Sequence, residues 1–249
     1  MGASNLEGII SDTARSLLQG RQNLVLLEAG CGSASYFQFA SVARSVGIDI
    51  SREQLDRNTA VQEKILGDLQ TYPLPADAFD IAVCWDVVEH LPRPREALMN
   101  LFNSIKPGGV LILGFPNLFS FKGLVTKCTP FWFHELFYRT MRYRGPHFPT
   151  YLRCAILPNR VLGFARRRGF EAAFQRFVEG GVTKRFKQRY PVLGAALLFL
   201  DWVAKMAFLG KRNSLFLDNC AFIFVKTKAV SSHNADPVNP HAVSRLSAA

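Results

Sequence analysis

The chain has 249 residues, is 49% hydrophobic and 12% aromatic, and carries a formal net charge of +11. That length suits one α/β domain with insertions, and the apolar content is enough for a sizeable core. Cys31, Cys84, Cys128, Cys154 and Cys220 contain no C-x-x-C pair, and the five histidines lack ligand spacing, which excludes a disulfide framework or a zinc site; no metal is expected.

A helix is expected around Leu6 to Leu18. The amino-terminal stretch has no apolar signal core, which predicts a cytoplasmic chain. Leu6 stands where a myristoylation signal needs Ser or Thr. The first strand, Val25-Leu26-Leu27, runs into Glu28 and then into two glycines one residue apart, Gly30 and Gly32. Small residues let the backbone turn tightly and come close to a ligand. A glycine turn between a parallel strand and a helix is where open α/β sheets bind ligands, so a helix is expected after it. The dinucleotide fingerprint G-x-G-x-x-G needs a third glycine at position 35; Ser35 is there instead. The second strand is expected near 46–50. Asp49 sits roughly twenty residues past the first glycine, where an acid can accept hydrogen bonds from both ribose hydroxyls. A helix N-cap is its alternative role, although Ser51 suits that better.

A helix from about Glu53 and a third strand near 64–67 come next, then the pair Gly67-Asp68. The fourth strand is expected at 79–84, followed by Trp85-Asp86-Val87-Val88-Glu89-His90-Leu91. Leu98, Leu101, Phe102 and Ile105 recur at helical spacing, and Gly108-Gly109 are expected to end that helix. The fifth strand covers 110–115. Pro158 opens a helix that runs to about Arg168. The sixth and seventh strands fall near 170–177 and 219–226. The whole reads as a doubly wound, mostly parallel seven-stranded α/β sheet. Residues 1–230 read as one domain with insertions at about 117–155 and 179–215, and 231–249 as a disordered tail.

Charge divides along the same lines: residues 1–117 are net −4, while 118–215 hold 18 Lys or Arg against 4 Asp or Glu, net +14. The same middle region holds 19 of the 30 aromatic residues, so the substrate side is expected to be basic and aromatic. A basic face attracts polyanions or an anionic membrane surface. In the second insertion Lys184, Arg185, Lys187 and Arg189 precede an apolar run, 192–209, followed by Lys211 and Arg212. Its length nearly reaches a span of about 20 residues. Asp201 and Lys205 near its middle oppose spanning, and so does its place between two strands of one sheet. An interfacial helix satisfies both facts, and a lid helix over the sheet edge is the alternative. The first insertion brings Phe131-Trp132-Phe133-His134 and later Arg142, Arg144 and His147, which suit an anionic, sugar-like or planar acceptor or the underside of a lid.

The ordered series of glycine turn, Asp49, Gly67-Asp68, strand four and Pro107-Gly108-Gly109 resembles the class I S-adenosylmethionine-dependent methyltransferases over roughly 23–117. The broader likeness is to small-molecule and lipid-pathway O-methyltransferases such as those of ubiquinone synthesis. The resemblance implies a Rossmann-like fold with S-adenosylmethionine as cofactor. It implies that Asp49 holds the ribose and that Glu28 organises the first loop near the methionine amine, with Gly30 and Gly32 forming the loop. Asp68 and Leu69 would lie beside the adenine, and Trp85 would pack on the cofactor. A loop cap for Asp68 and ordinary core packing for Trp85 stay open. Ala34 departs from the commoner family glycine. His90 is the candidate proton acceptor, since its ordinary pKa suits transfer near neutrality. A structural role is its alternative, and His134 and His147 are the other candidates.

These readings together predict O-methylation of an amphipathic or anionic acceptor (lipid-linked, glycan or quinone-like) at the cytoplasmic membrane face. A soluble enzyme for an aromatic or polyketide-like molecule, an RNA methyltransferase, and a cofactor-binding protein without activity are the alternatives. Against nucleic acid, strand four is not followed by the Asn/Asp-Pro-Pro-aromatic signature of adenine amino-group enzymes, and Cys128 lacks a Pro-Cys setting.

Overall fold

The computed structural model describes residues 3–39, 41–118, 120, 123, 150–151, 153–207 and 217–227. A seven-stranded sheet organises them. Its strands are β1 (Leu24–Ala29), β2 (Val42–Asp49), β3 (Glu63–Leu66), β4 (Phe79–Trp85), β5 (Ile105–Pro116), β6 (Phe170–Val178) and β7 (Asn219–Lys226). The order across the sheet is β3-β2-β1-β4-β5-β7-β6. β1 to β5 pair in parallel, and β7 runs antiparallel between β5 and β6. β1, β4 and most of β5 read as near-continuous apolar runs because both of their faces are covered.

Alternate residues of each strand feed two cores. On one face Leu26, Ile81, Val83, Val110, Ile112 and Ile223 meet Leu6, Ile10, Ala14 and Leu18 from or just past α1 (Ala3–Leu17). On the other, Leu27, Ile48, Ala82, Leu111 and Phe224 meet α3 (Pro94–Ser104) and α4 (Pro158–Arg166). Both helices open with proline, whose fixed φ suits the first turn and whose missing N–H costs nothing there. Phe102 of α3 makes edge contacts with Phe164, Phe170 and Phe224 at 4.7–5.5 Å, joining α3 and α4 to the far side of the sheet. Between β2 and β3 lies only the short α2 (Arg52–Arg57).

Three expectations are corrected. No helix follows the glycine turn: described residues from 30 to 41 form turns and loop. β2 begins at Val42, four residues earlier than expected, which leaves too few residues for a helix of useful length. Phe37 and Phe39 pack against the α1 core in its place. Secondly, α3 ends at Ser104, and the chain passes directly into β5 at Ile105. Gly108-Gly109 therefore lie inside a bulged strand: Phe79 pairs with Ile105 but Ile81 pairs with Val110. Gly109 is required there, since a Cβ would sit 2.9 Å from the Asp80 carbonyl oxygen. Thirdly, α4 stops at Arg166. The tail 231–249 and most of the first insertion lie outside the described residues.

The second insertion holds α5 (Gly181–Arg189) and α6 (Pro191–Ala207). It starts where β6 ends and returns where β7 begins, and Val178 pairs with Asn219 across that gap.

Candidate functional site

The carboxyl ends of β1, β2 and β4 meet at one rim, where parallel sheets bind ligands. Gly30 and Gly32 turn the chain there with φ of +70° and +51°. The amides of Gly30 and Cys31 both donate to the Ile48 carbonyl, at 2.8 and 3.2 Å, which stitches the turn to β2. A Cβ on Gly30 would lie 2.4 Å from a Val87 methyl, so the turn and the segment after β4 touch with no space for a side chain.

Asp49 closes β2 and is half-buried. Its Oδ2 accepts from the Gly32 amide at 2.9 Å and its Oδ1 from the Ser51 amide at 2.8 Å. A carboxylate has about four acceptor positions, so each oxygen keeps one. Ser51 is the N-cap of α2 and accepts from Gln54 N at 3.3 Å. Glu28 is buried near the end of β1, where Ser35 Oγ donates to its Oε2 at 2.6 Å. Burial pushes the Glu28 carboxyl above its ordinary value, against the pull of that hydrogen bond. Burial and the neighbouring Asp49 and Glu28 charges push the Cys31 thiol up to about 12, so it stays a neutral packing group.

Sequence reasoning missed Asn58. This fully buried side chain donates from Nδ2 to the carbonyls of Cys31 and Gly32, both at 3.2 Å, and accepts from Ala60 N and Val61 N at 2.9 and 3.3 Å. It thus clamps the outer half of the glycine turn to the end of α2. Nothing in its local pattern marks it, because its partners are 26 and 27 residues away. Asp86, just past β4, is exposed, with φ of +54°, a left-handed conformation that Asp tolerates better than most residues.

The remaining candidates are placed as follows. Asp68 is half-buried and receives Gln70 N at 2.9 Å on its carboxylate, while its carbonyl accepts from Thr71 and Tyr72 amides. The Gly67 amide donates to the Asp49 carbonyl at 3.0 Å, which brings this turn beside β2. The Leu69 side chain is in the core. The Trp85 ring meets Phe37 edge-on at 5.1 Å and covers Gly114, whose Cβ would fall 2.4 Å from it. His90 ends a 3₁₀ turn, Val88–His90, with Nε2 3.9 Å from Glu89 Oε1. The Glu89 carbonyl accepts from Tyr151 N at 2.9 Å, so the chain leaving the first insertion returns against this turn. His134 and His147 lie outside the described residues. Among the described residues no cluster of His, Cys, Asp and Glu could hold a metal ion.

Residues 27–113 match the family model described as a methyltransferase domain. A protein of Mycolicibacterium smegmatis described as a "probable S-adenosylmethionine-dependent methyltransferase" is 33% identical over 117 residues, covering 45% of this chain and 46% of that one. The ubiquinone biosynthesis O-methyltransferase of Coxiella burnetii is 30% identical over 95 residues, covering 34% of this chain and 41% of that one. The chain thus spans less than half the length of either relative. The crystal structure of a SAM-dependent methyltransferase from Archaeoglobus fulgidus shares the fold, with a TM-score of 0.54, 18% identity, and coverage of 90% of this chain and 95% of that one.

The donor set at the rim fits S-adenosylmethionine. Half-buried Asp49 has two acceptor positions left for a diol, and buried Glu28, pushed up by desolvation, suits a cationic amine. The glycine turn, its stitching to β2 and the match over 27–113 agree: this part of the chain is similar to the methyltransferase domain of S-adenosylmethionine-dependent methyltransferases.

Proposed function

We propose that the chain transfers a methyl group from S-adenosylmethionine to a hydroxyl oxygen of an amphipathic or anionic acceptor, lipid-linked, glycan or quinone-like, at the membrane face. The observation that carries the cofactor half is Asp49, whose carboxylate binds the Gly32 and Ser51 amides and keeps one acceptor position on each oxygen. The O-methyl half is supported by the likeness to a ubiquinone O-methyltransferase. The basic, aromatic region 118–215 supports an anionic or amphipathic acceptor.

The cofactor supplies an already electrophilic methyl group on its sulfonium. The protein's part is to align donor and acceptor, exclude water and receive a proton. In this reading Asp49 fixes the ribose and Glu28 the methionine amine, so the cofactor is anchored on two strands. Asp68 and Leu69 border the adenine, and Trp85 walls the methionine end. His90, on the turn that follows Val87, takes the acceptor proton, with His134 and His147 as substitutes.

Calorimetry tests the reading. Wild-type protein is expected to bind S-adenosylmethionine and its demethylated product, and Asp49→Ala to weaken both by about 1–3 kcal/mol, the scale for polar groups left unpaired. No binding by the wild type defeats the cofactor half, and an unchanged Asp49→Ala defeats the ribose role. His90→Ala is expected to lower turnover about hundredfold with cofactor affinity unchanged. A change of only a few-fold returns His90 to a structural role.

A further inference from the structure

The second insertion exposes a large apolar face among its described residues. In a water-exposed helix the apolar stripe faces the protein and the polar stripe faces out. Among the described side chains of α6 the large apolar ones face outward. Gly194 and Asp201, seven positions apart and so on one face, are buried, Asp201 to 4% exposure. The opposite face presents Val192 (84% exposed), Phe199 (62%) and Trp202 (56%), flanked by Leu193, Leu198 and Val203. Phe199 and Trp202 stack at 5.9 Å and form one continuous aromatic surface. Among the described elements the helix makes its main contacts with α5.

The pair of helices is held firmly at its base. Asp218, just before β7, is buried and accepts through Oδ2 from Gly180 N at 3.1 Å and Thr183 Oγ1 at 2.8 Å. A Cβ on Gly180 would sit 2.6 Å from that oxygen. Lys187 bridges to Glu179 at 2.8 Å. Arg185 and Arg189 of α5 are exposed. The base lies at the same rim as the glycine turn, because β5 and β6 end there and Pro116 and Val178 both pair with Asn219. Four strand spacings of about 4.8 Å separate β1 from β6, so the base stands roughly 19 Å from the turn.

We propose that α5 and α6 form a membrane-docking hairpin, with the apolar face of α6 laid into a bilayer surface that carries anionic headgroups. This rests on the reading of the rim as the methyl-transfer site and names the partner that delivers the acceptor to it. Charge decides for lipid over a second copy of the chain: α5 carries Lys184, Arg185, Lys187 and Arg189, and a hairpin in a region of net +14 repels its own copy and attracts anionic headgroups. Connectivity favours lying over spanning, since the hairpin leaves β6 and returns to β7 at one rim of the sheet. Among the described residues α6 has seventeen helical residues, about 26 Å, less than the roughly 30 Å hydrocarbon core. Among the described residues no helix is long and apolar enough to cross a membrane. With the hairpin in the interface, the rim faces the bilayer and an acceptor with an apolar tail reaches the site without leaving it.

The test is co-sedimentation of the full chain with vesicles of phosphatidylcholine and phosphatidylglycerol in equal parts, and with phosphatidylcholine alone. Wild-type protein is expected to pellet with the mixed vesicles and to be released by salt. Phe199→Glu with Trp202→Glu is expected to lower binding about hundredfold or more, since two buried aromatic anchors are lost. Arg185→Ala with Arg189→Ala is expected to lower it about tenfold at low salt and little at high salt. Vesicles should shift Trp fluorescence to the blue in wild type and not in Trp202→Phe, a readout that holds even if the double Glu variant fails to fold. Wild-type protein left in the supernatant overturns the proposal. So does a wild-type dimer, by light scattering, that Phe199→Glu with Trp202→Glu converts to a monomer without affecting vesicle binding. Calorimetry with S-adenosylmethionine on the same samples keeps the two readings apart: vesicle binding without cofactor binding defeats only the methyltransferase reading, and the reverse defeats only the docking.

Discussion

The two ends of the β1–β4 pair hold buried carboxylates in opposite ways. At the amino end Asp80 pairs with Arg21 and, at 2.7 Å, with Lys106, and accepts the Val25 amide at 3.0 Å. Burial pushes its carboxyl up, but the Lys106 hydrogen bond, the Val25 amide and the two positive charges outweigh that and hold it below its ordinary value. At the carboxyl end Glu28 receives the Ser35 hydroxyl, and Asp49 receives two backbone amides; among the described residues neither has a cation beside it. The difference marks Asp80 as the acid that serves the fold. Where a carboxylate ties strands together, the chain supplies the counter-charge. At the rim proposed to hold the cofactor, the chain supplies only neutral donors among the described residues and leaves Glu28 pushed up by burial.

The strongest way to break that comparison is at Asp80. Asp80→Ala strands Arg21 and Lys106 and frees the Val25 amide. Removing one partner from a buried pair costs about 3–5 kcal/mol. Both cations here are about one-third exposed and can turn to water, so a loss of about 2–3 kcal/mol is expected. For a chain of this size that lowers the melting temperature by about 5–10 °C. The sign of the pH dependence follows from the lowered pKa. The stabilisation from Asp80 is present above its unfolded value and is lost as pH falls through the folded one. Wild type and Asp80→Ala should therefore converge in acid. Asp49→Ala, which loses only two neutral hydrogen bonds, should cost about 1 kcal/mol. Thermal melts at neutral and acid pH measure all three, and equal losses for Asp80→Ala and Asp49→Ala would erase the distinction.

The carboxyl end was the more legible of the two in the sequence. A glycine turn must follow its strand at once, and an acid must end the next strand, so the chemistry is written in short spacings around Gly30, Gly32 and Asp49. The positions of the strands along the chain and the helix opened by Pro158 were legible for the same local reason. What failed depended on distance or on competition. The helix expected after the glycine turn vanished because β2 reaches back to Val42, where Arg44 and Ser45 do not read as strand core. Asn58 was invisible because it serves the turn across 26 residues. The role of Asp80 was not legible because its partners Arg21 and Lys106 come from separate elements. In α6 the apolar composition was legible, but which stripe faces outward depends on what α5 covers.

Glu28→Gln gives the smallest effect and the sharpest one. The amide keeps the shape and can still accept from Ser35, so only the charge is removed. Burial raises the Glu28 pKa in the folded chain. By linkage, whatever stability this group contributes is present below its unfolded value and is lost as pH rises through the raised folded one. Free Glu28→Gln should therefore melt slightly higher than wild type near neutral pH, and the gap should close in acid. Cofactor reverses the order. A methionine ammonium beside Glu28 favours the ionised carboxylate, so wild-type affinity should rise as pH passes upward through the raised pKa, and Glu28→Gln should bind more weakly with a flatter profile. Calorimetry and melting curves between about pH 5 and 8 measure both effects. If Glu28→Gln binds cofactor like wild type at every pH, no cation meets Glu28. The contrast with Asp80 would then be a matter of burial alone.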